Sequence, residues 1–100
     1  MDERQRATLI RNMTDNLPTL RKRMDISQAE FAALIGVSRS TLAAIENQKR
    51  PMTWNMFLAL LLIFTKNKET DKLLSAMEIY TDELNGIIKH REQDGGQNHD

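Results

Sequence analysis

Apolar residues recur along this chain at spacings of three and four rather than two, a pattern that predicts helices almost throughout. Leu9, Met13, Leu17, Leu20 and Met24 mark one such face. Pro18 lies inside it. Proline fits only the first turn of a helix, so a start is expected near Thr14–Asn16, both good caps. Residues 3–13 are then either a separate arm helix or a kinked continuation. Ser27, with Glu30 three residues later, matches a capping box. The helix it opens, Gln28 to Ile35, is expected to bury Phe31, Ala32 and either Leu34 or Ile35. Gly36 stands where a helix ends in a left-handed residue. Ser38 can then cap a helix from Arg39 to about Asn47, with Leu42 and Ile45 inward.

Thr53 caps a fourth helix through Phe64. Met56 to Phe64 is apolar on every side, so that helix needs cover on more than one face, and a partner is expected to supply part of it. Thr65 to Thr70 is a polar break. A long last helix is predicted from about Asp71 to Arg91, with Leu73, Met77, Tyr80, Leu84 and Ile87 at heptad spacing and Asn85-Gly86 weakening its middle. The polar tail from Gln93 to Asp100 is expected to be disordered. The fold expected is all-α: a compact bundle of about five helices with an extended C-terminal helix. Its parts are an N-terminal arm or helix (1–14), a helix-turn-helix unit (15–66), a C-terminal helix suited to dimerisation (67–92) and a tail (93–100).

Composition narrows the chemistry. There is no cysteine, which excludes disulfides, zinc–thiolate sites and thiol nucleophiles. His90 and His99 have no metal-ligand spacing, Asp82 and Glu83 are adjacent and face apart on a helix, and no Gly-rich phosphate loop occurs. No enzyme, metal or cofactor is therefore expected. The longest apolar run, Met56 to Phe64, is far short of the roughly 20 residues of a membrane span, and the first residues lack a signal-peptide pattern. A cytoplasmic location is expected. The 14 Lys/Arg and 14 Asp/Glu balance to zero, which disfavours a generic polyanion binder. The charge is segregated, however: residues 1–50 hold nine Lys/Arg against six Asp/Glu, and residues 51–100 hold five against eight.

The basic half carries the distinctive motif. Two short helices joined by a three-residue turn centred on a glycine form the helix-turn-helix signature, and Ala29, Ala32 and Ala33 allow a close crossing. Leu20-Arg21, Ile26 to Ala32, Gly36 to Leu42, Ile45-Glu46-Asn47 and Lys49-Arg50 together resemble the phage-repressor (Cro/cI, or xenobiotic-response-element-like) helix-turn-helix family. The resemblance runs from Leu20 to Phe64. It implies a lambda-repressor-like bundle that binds double-stranded DNA, usually as a homodimer on a palindromic operator. It assigns Arg39, Ser40, Ala43 and Ala44 to base-facing positions, and Gln28, Thr41, Asn47, Lys49 and Arg50 to the DNA backbone. Gln28 would also brace the start of the recognition helix, and Arg21 and Glu46 would pair between the first and third helices. The family commonly has glycine after Glu-Asn, where this chain has Gln48; Asn47 tolerates the left-handed region, which lets the turn shift by one residue.

Side-chain chemistry supports the same roles. Ser38 caps the recognition helix and leaves its free amides pointing at a phosphate. Arg39 can offer two donors to guanine, and Ala44 can touch a thymine methyl. Lys49 and Arg50 lie past the helix end, within reach of phosphates. Trp54 is expected to pack rather than stack on a base. The dimer contact is expected on Leu61, Phe64, Leu73, Met77, Tyr80, Leu84 and Ile87. A homodimeric transcriptional repressor is the first expectation. The alternatives are an antitoxin with a toxin partner on the same fold, and an interaction scaffold that has lost DNA binding.

Overall fold

The computed structural model describes residues 1–89, and they contain six helices and no strand. The expected tail from 93 to 100, Arg91 and both histidines lie outside the described residues.

The chain starts on a capping box formed by Asp2 and Gln5. The Asp2 carboxylate accepts the Gln5 amide at 2.9 Å, and Gln5 Oε1 accepts the Asp2 amide at 2.7 Å. Helix α1 (Glu3–Arg23) then runs unbroken for 21 residues with Pro18 inside it. The helix start expected near Thr14–Asn16 does not occur. Pro18 forfeits one backbone bond and costs about 3 kcal/mol. Leu9, Met13, Leu17 and Leu20 are all buried along one face, and each contributes about 1.5–3 kcal/mol only if the helix stays continuous.

Helix α2 (Gln28–Ile35) opens on the Ser27–Glu30 capping box and ends at Gly36, left-handed at φ 81°. Helix α3 (Arg39–Glu46) follows the turn, with Ser38 Oγ accepting the Thr41 amide at 3.1 Å. Phe31 and Ala32 are buried on α2. Ile35 is half-buried and Leu34 exposed, which settles that pair in favour of Ile35. Ala29 and Ala33 are exposed, so of the three alanines only Ala32 faces the core.

Helix α4 (Trp54–Lys66) takes Thr53 as its cap and buries Phe57, Leu60, Leu61 and Phe64. Phe64 stacks on Phe31 with ring centroids 5.6 Å apart, joining α4 to α2. Trp54 stacks on Phe57 at 4.8 Å, and the Arg6 guanidinium lies 5.8 Å from its ring. Both contacts make Trp54 a packing residue.

The C-terminal region departs most from expectation. Asn67 caps helix α5 (Lys68–Leu74), accepting the Glu69 and Thr70 amides. The Thr70 hydroxyl is fully buried and donates to the Phe64 carbonyl at 2.7 Å, satisfying the end of α4. The long helix from Asp71 to Arg91 does not form. The chain leaves α5 through a closed turn in which the Ile79 amide donates to the Leu74 carbonyl at 2.9 Å and Glu78 is left-handed at φ 56°. Helix α6 (82–89) then begins after Thr81, whose hydroxyl accepts the Leu84 amide at 3.2 Å. The break turns Leu74, Ile79 and Leu84 into the core together, which one straight helix could not do.

The first half of α1 lies against this returning segment. Gln5 Nε2 donates to Glu83 at 2.8 Å and Asn12 Nδ2 to the Glu78 carbonyl at 3.0 Å. Among the described residues no helix is long and apolar enough to cross a membrane.

Candidate nucleic-acid interface

The geometry of α3 is set by one buried carboxylate. Glu46, at its last turn, accepts Arg21 Nε at 2.8 Å and Arg21 Nη2 at 3.2 Å, so the pair is bidentate. The two side chains are only 10% and 5% exposed. Arg21 Nη1 also donates to the Ile26 carbonyl at 3.1 Å, and Gln28 Nε2 donates to Glu46 Oε1 at 2.9 Å. The cluster ties the end of α1, the entry to α2 and the end of α3 into one unit. Among the described residues no buried side-chain polar atom lacks a partner.

The Gln28 contact differs in part from expectation. The residue braces α3, but through Glu46 at the far end of that helix. One amide proton is spent there, which leaves the other for a phosphate.

With Leu42 and Ile45 buried beneath it, α3 presents a defined outer face. Arg39, Ala43 and Asn47 recur at four-residue spacing, with Ser40 and Ala44 beside them. Arg39, Ser40 and Asn47 are exposed, while Ala43, Ala44 and Thr41 are half-buried. At the start of α3, Ser38 Oγ meets Thr41 Oγ1 at 2.9 Å and Ser40 Oγ at 3.2 Å. The first two amides of α3, at Arg39 and Ser40, have no intrahelical acceptor by helix geometry and carry the positive end of its dipole.

Past the helix, the turn does not shift. Asn47 stays at φ −89°, and Gln48 itself is left-handed at φ 61°. The Gln48 amide donates to the Ile45 carbonyl and the Lys49 amide to Ala44, at 3.0 and 2.8 Å. This six-to-one closure needs the left-handed residue immediately after the cap, so Gln48 accepts a backbone usually left to glycine. Lys49 and Arg50 emerge exposed from this turn beside Asn47. Residues with donors or positive charge thus bracket both ends of α3, and its middle is small and nearly flat. Such a surface can enter a groove and contact phosphates on either side of it.

The residues expected at a dimer contact are not brought together. Leu61, Phe64 and Leu84 are buried in the protomer's own core, which removes them from any outer face. Leu73, Met77 and Tyr80 are half-buried around the turn that replaced the long helix, and only Ile87 is exposed. Instead, Leu62 (60% exposed), Leu34 (55%), Leu58, Ile87 and Ile88 show apolar surface to solvent. Leu58, Leu62, Tyr80 and Ile88 edge one groove; Met24, Leu34, Leu62 and Ile63 edge a second, with Leu62 shared between them.

Residues 19–53 match a family model described as Helix-turn-helix. Neither the curated proteins nor the solved structures yielded a match to the chain.

Proposed function

We propose that this chain, whose residues 19–53 match a helix-turn-helix model, is a sequence-specific transcriptional regulator that reads the major groove with α3. The reading rests on one observation above all. Arg39 and Ser40 stand exposed at the open N-terminal end of a helix whose other end is locked by the Arg21–Glu46–Gln28 cluster. A helix held that firmly can place a side chain on one base edge. Arg39 offers two donors to guanine O6 and N7, and Ala43 and Ala44 lie flat against the groove, where Ala44 can contact a thymine methyl. Gln28, Ser38, Thr41, Asn47, Lys49 and Arg50 hold the phosphates and set the register. Its role is binding rather than catalysis, and DNA as partner goes with a cytoplasmic location.

The regulator acts as a homodimer on a palindromic operator, with half-sites about one helical turn (roughly 34 Å) apart. The apolar strip through Leu62 supports pairing of two copies, and repression follows from occupying the operator. A second reading is favoured by the same strip: a different protein, such as a toxin, covers it.

The test is selection of bound duplexes from a random pool, run in parallel on the wild type and Arg39→Ala. The wild type enriches a palindrome with guanine at a fixed half-site position. The variant loses discrimination there by about 1–3 kcal/mol. Absence of any enriched sequence at low salt would overturn the proposal.

A further inference from the structure

Beside the turn after α3 lies an open cleft of about 250 Å³, walled by residues 10–15 of α1 on one side and residues 48–52 on the other. Two arginines from distant parts of the chain line it, Arg11 and Arg50, together with Asp15 and Gln48. The two walls run in register. Arg21 meets Glu46, Asp15 Oδ1 accepts Gln48 Nε2 at 3.4 Å, and one turn further along α1 Arg11 shares the cleft with Arg50. The left-handed Gln48 is what turns the chain back along α1. Both arginines are exposed, and among the described residues neither is ion-paired. Two guanidinium groups around one open cleft outweigh the single carboxylate between them. Guanidinium is also the side chain best matched to phosphate oxygens.

We propose that Arg11 and Arg50 form a clamp for a phosphodiester of the DNA backbone, outside the half-site contacted by α3. The site deepens the DNA-binding reading and rests on it. The duplex is the favoured source of the phosphate because Arg50 joins Lys49 and Asn47 in one continuous exposed run from the end of α3. Arg11 lies ahead of the matched segment 19–53, so the contact belongs to the N-terminal extension of α1 rather than to the helix-turn-helix. The extension would widen the footprint without adding sequence preference. Asp15 limits the grip: it repels the phosphate while holding Gln48.

The experiment measures affinity of the full chain for a duplex enriched from the random pool, as salt rises from about 50 to 200 mM. Arg11→Ala is expected to lower the slope of log affinity against log salt by about 0.9, the value of one lost phosphate contact. It should weaken all duplexes by one common factor and leave the selected sequence unchanged. Asp15→Asn is expected to tighten binding to all of them. Lys72→Ala, which removes the same charge from α5, should leave the slope as it is, and thermal melting confirms that each variant folds. An unchanged slope for Arg11→Ala, or an equal drop for Lys72→Ala, overturns the clamp alone. Inorganic phosphate that raises the wild-type melting temperature at fixed ionic strength, with the Arg11→Ala slope unchanged, marks a free-anion site and overturns the duplex assignment. A wild type that retains no duplex at low salt overturns the DNA-binding reading and the clamp together.

Discussion

Glu46 gathers three hydrogen bonds from Arg21 and Gln28 at a position almost closed to water. A charge pair so placed adds little net stability over an apolar pair of similar shape, but removing one member strands the other. Glu46→Ala is therefore expected to destabilise the protein by about 3–5 kcal/mol, measured by urea unfolding, and replacing Arg21 and Glu46 together by apolar residues should recover most of it. A cost below about 1 kcal/mol for the single variant would mean that the pair behaves as a surface bridge. Glu30 shows the same chemistry in the open. The Ser27 amide, and then its hydroxyl, hold the Glu30 carboxylate below the usual carboxylate range. A group whose folded value is depressed stabilises above its unfolded value and loses that contribution as pH falls through the folded one. Melting of wild type and Glu30→Gln across the acid range should show the wild-type advantage shrinking as pH drops. A constant difference would argue that the charge of the capping box is immaterial.

Element by element, capping chemistry was the most legible signal. Ser27, Gly36, Ser38 and Thr53 each do in the structure what their spacing suggests, because a cap depends on residues within three positions of itself. Two further signals of the same kind are present in the sequence. Asp2 with Gln5 has capping-box spacing, and Thr81 precedes Asp82 and Glu83 in a good first turn. The first marks the start at residue 3 that the arm helix shares with α1, and the second separates α6 from the turn before it. The heptad spacing from Leu73 to Ile87 misled because it is equally compatible with two short helices folded about a turn. Pro18 is the opposite case, a strong local breaker overridden by burial on both sides of it. Pro18→Ala should restore a backbone bond and stabilise α1 by about 1–3 kcal/mol, seen as a higher melting temperature. No gain would indicate that the proline ring's own packing compensates.

For the molecule as a whole, the extensions at the two ends of the chain form one addition to the core. The first half of α1 and the segment from Glu78 to Leu84 hydrogen-bond to each other and bury Leu9, Met13, Ile79 and Leu84 in the common core. Among the described residues, the strip through Leu34 and Leu62, with Leu58, Ile87 and Ile88, stays exposed. If that strip pairs two copies, Leu62→Glu should yield a monomer in sedimentation at tens of micromolar, whose melting temperature no longer rises with protein concentration; the protomer itself should still fold, because Leu62 is 60% exposed in it. Operator binding should weaken, since each half-site is then held alone. A wild type that is monomeric under the same conditions would point to a different protein as the strip's occupant.

The amino-acid sequence by itself determined the all-helical class, the helix-turn-helix, the burial of Phe31 and Ala32 on α2 and the inward residues of α3. Each of these follows from periodicity, caps and one glycine acting over a single turn of chain. The Arg21–Glu46 pairing was also legible in the sequence, through the family resemblance rather than through any local rule. Only the tertiary structure decided that α1 continues through Pro18, that Ile35 rather than Leu34 turns inward, and that Gln28 spends a donor on Glu46. It likewise decided that the chain breaks after Leu74 so that Ile79 and Leu84 can be buried. Each of these outcomes is a competition between a local preference worth a kilocalorie or so and burial contributed by residues tens of positions away, and a one-dimensional pattern carries no record of which distant residues come together.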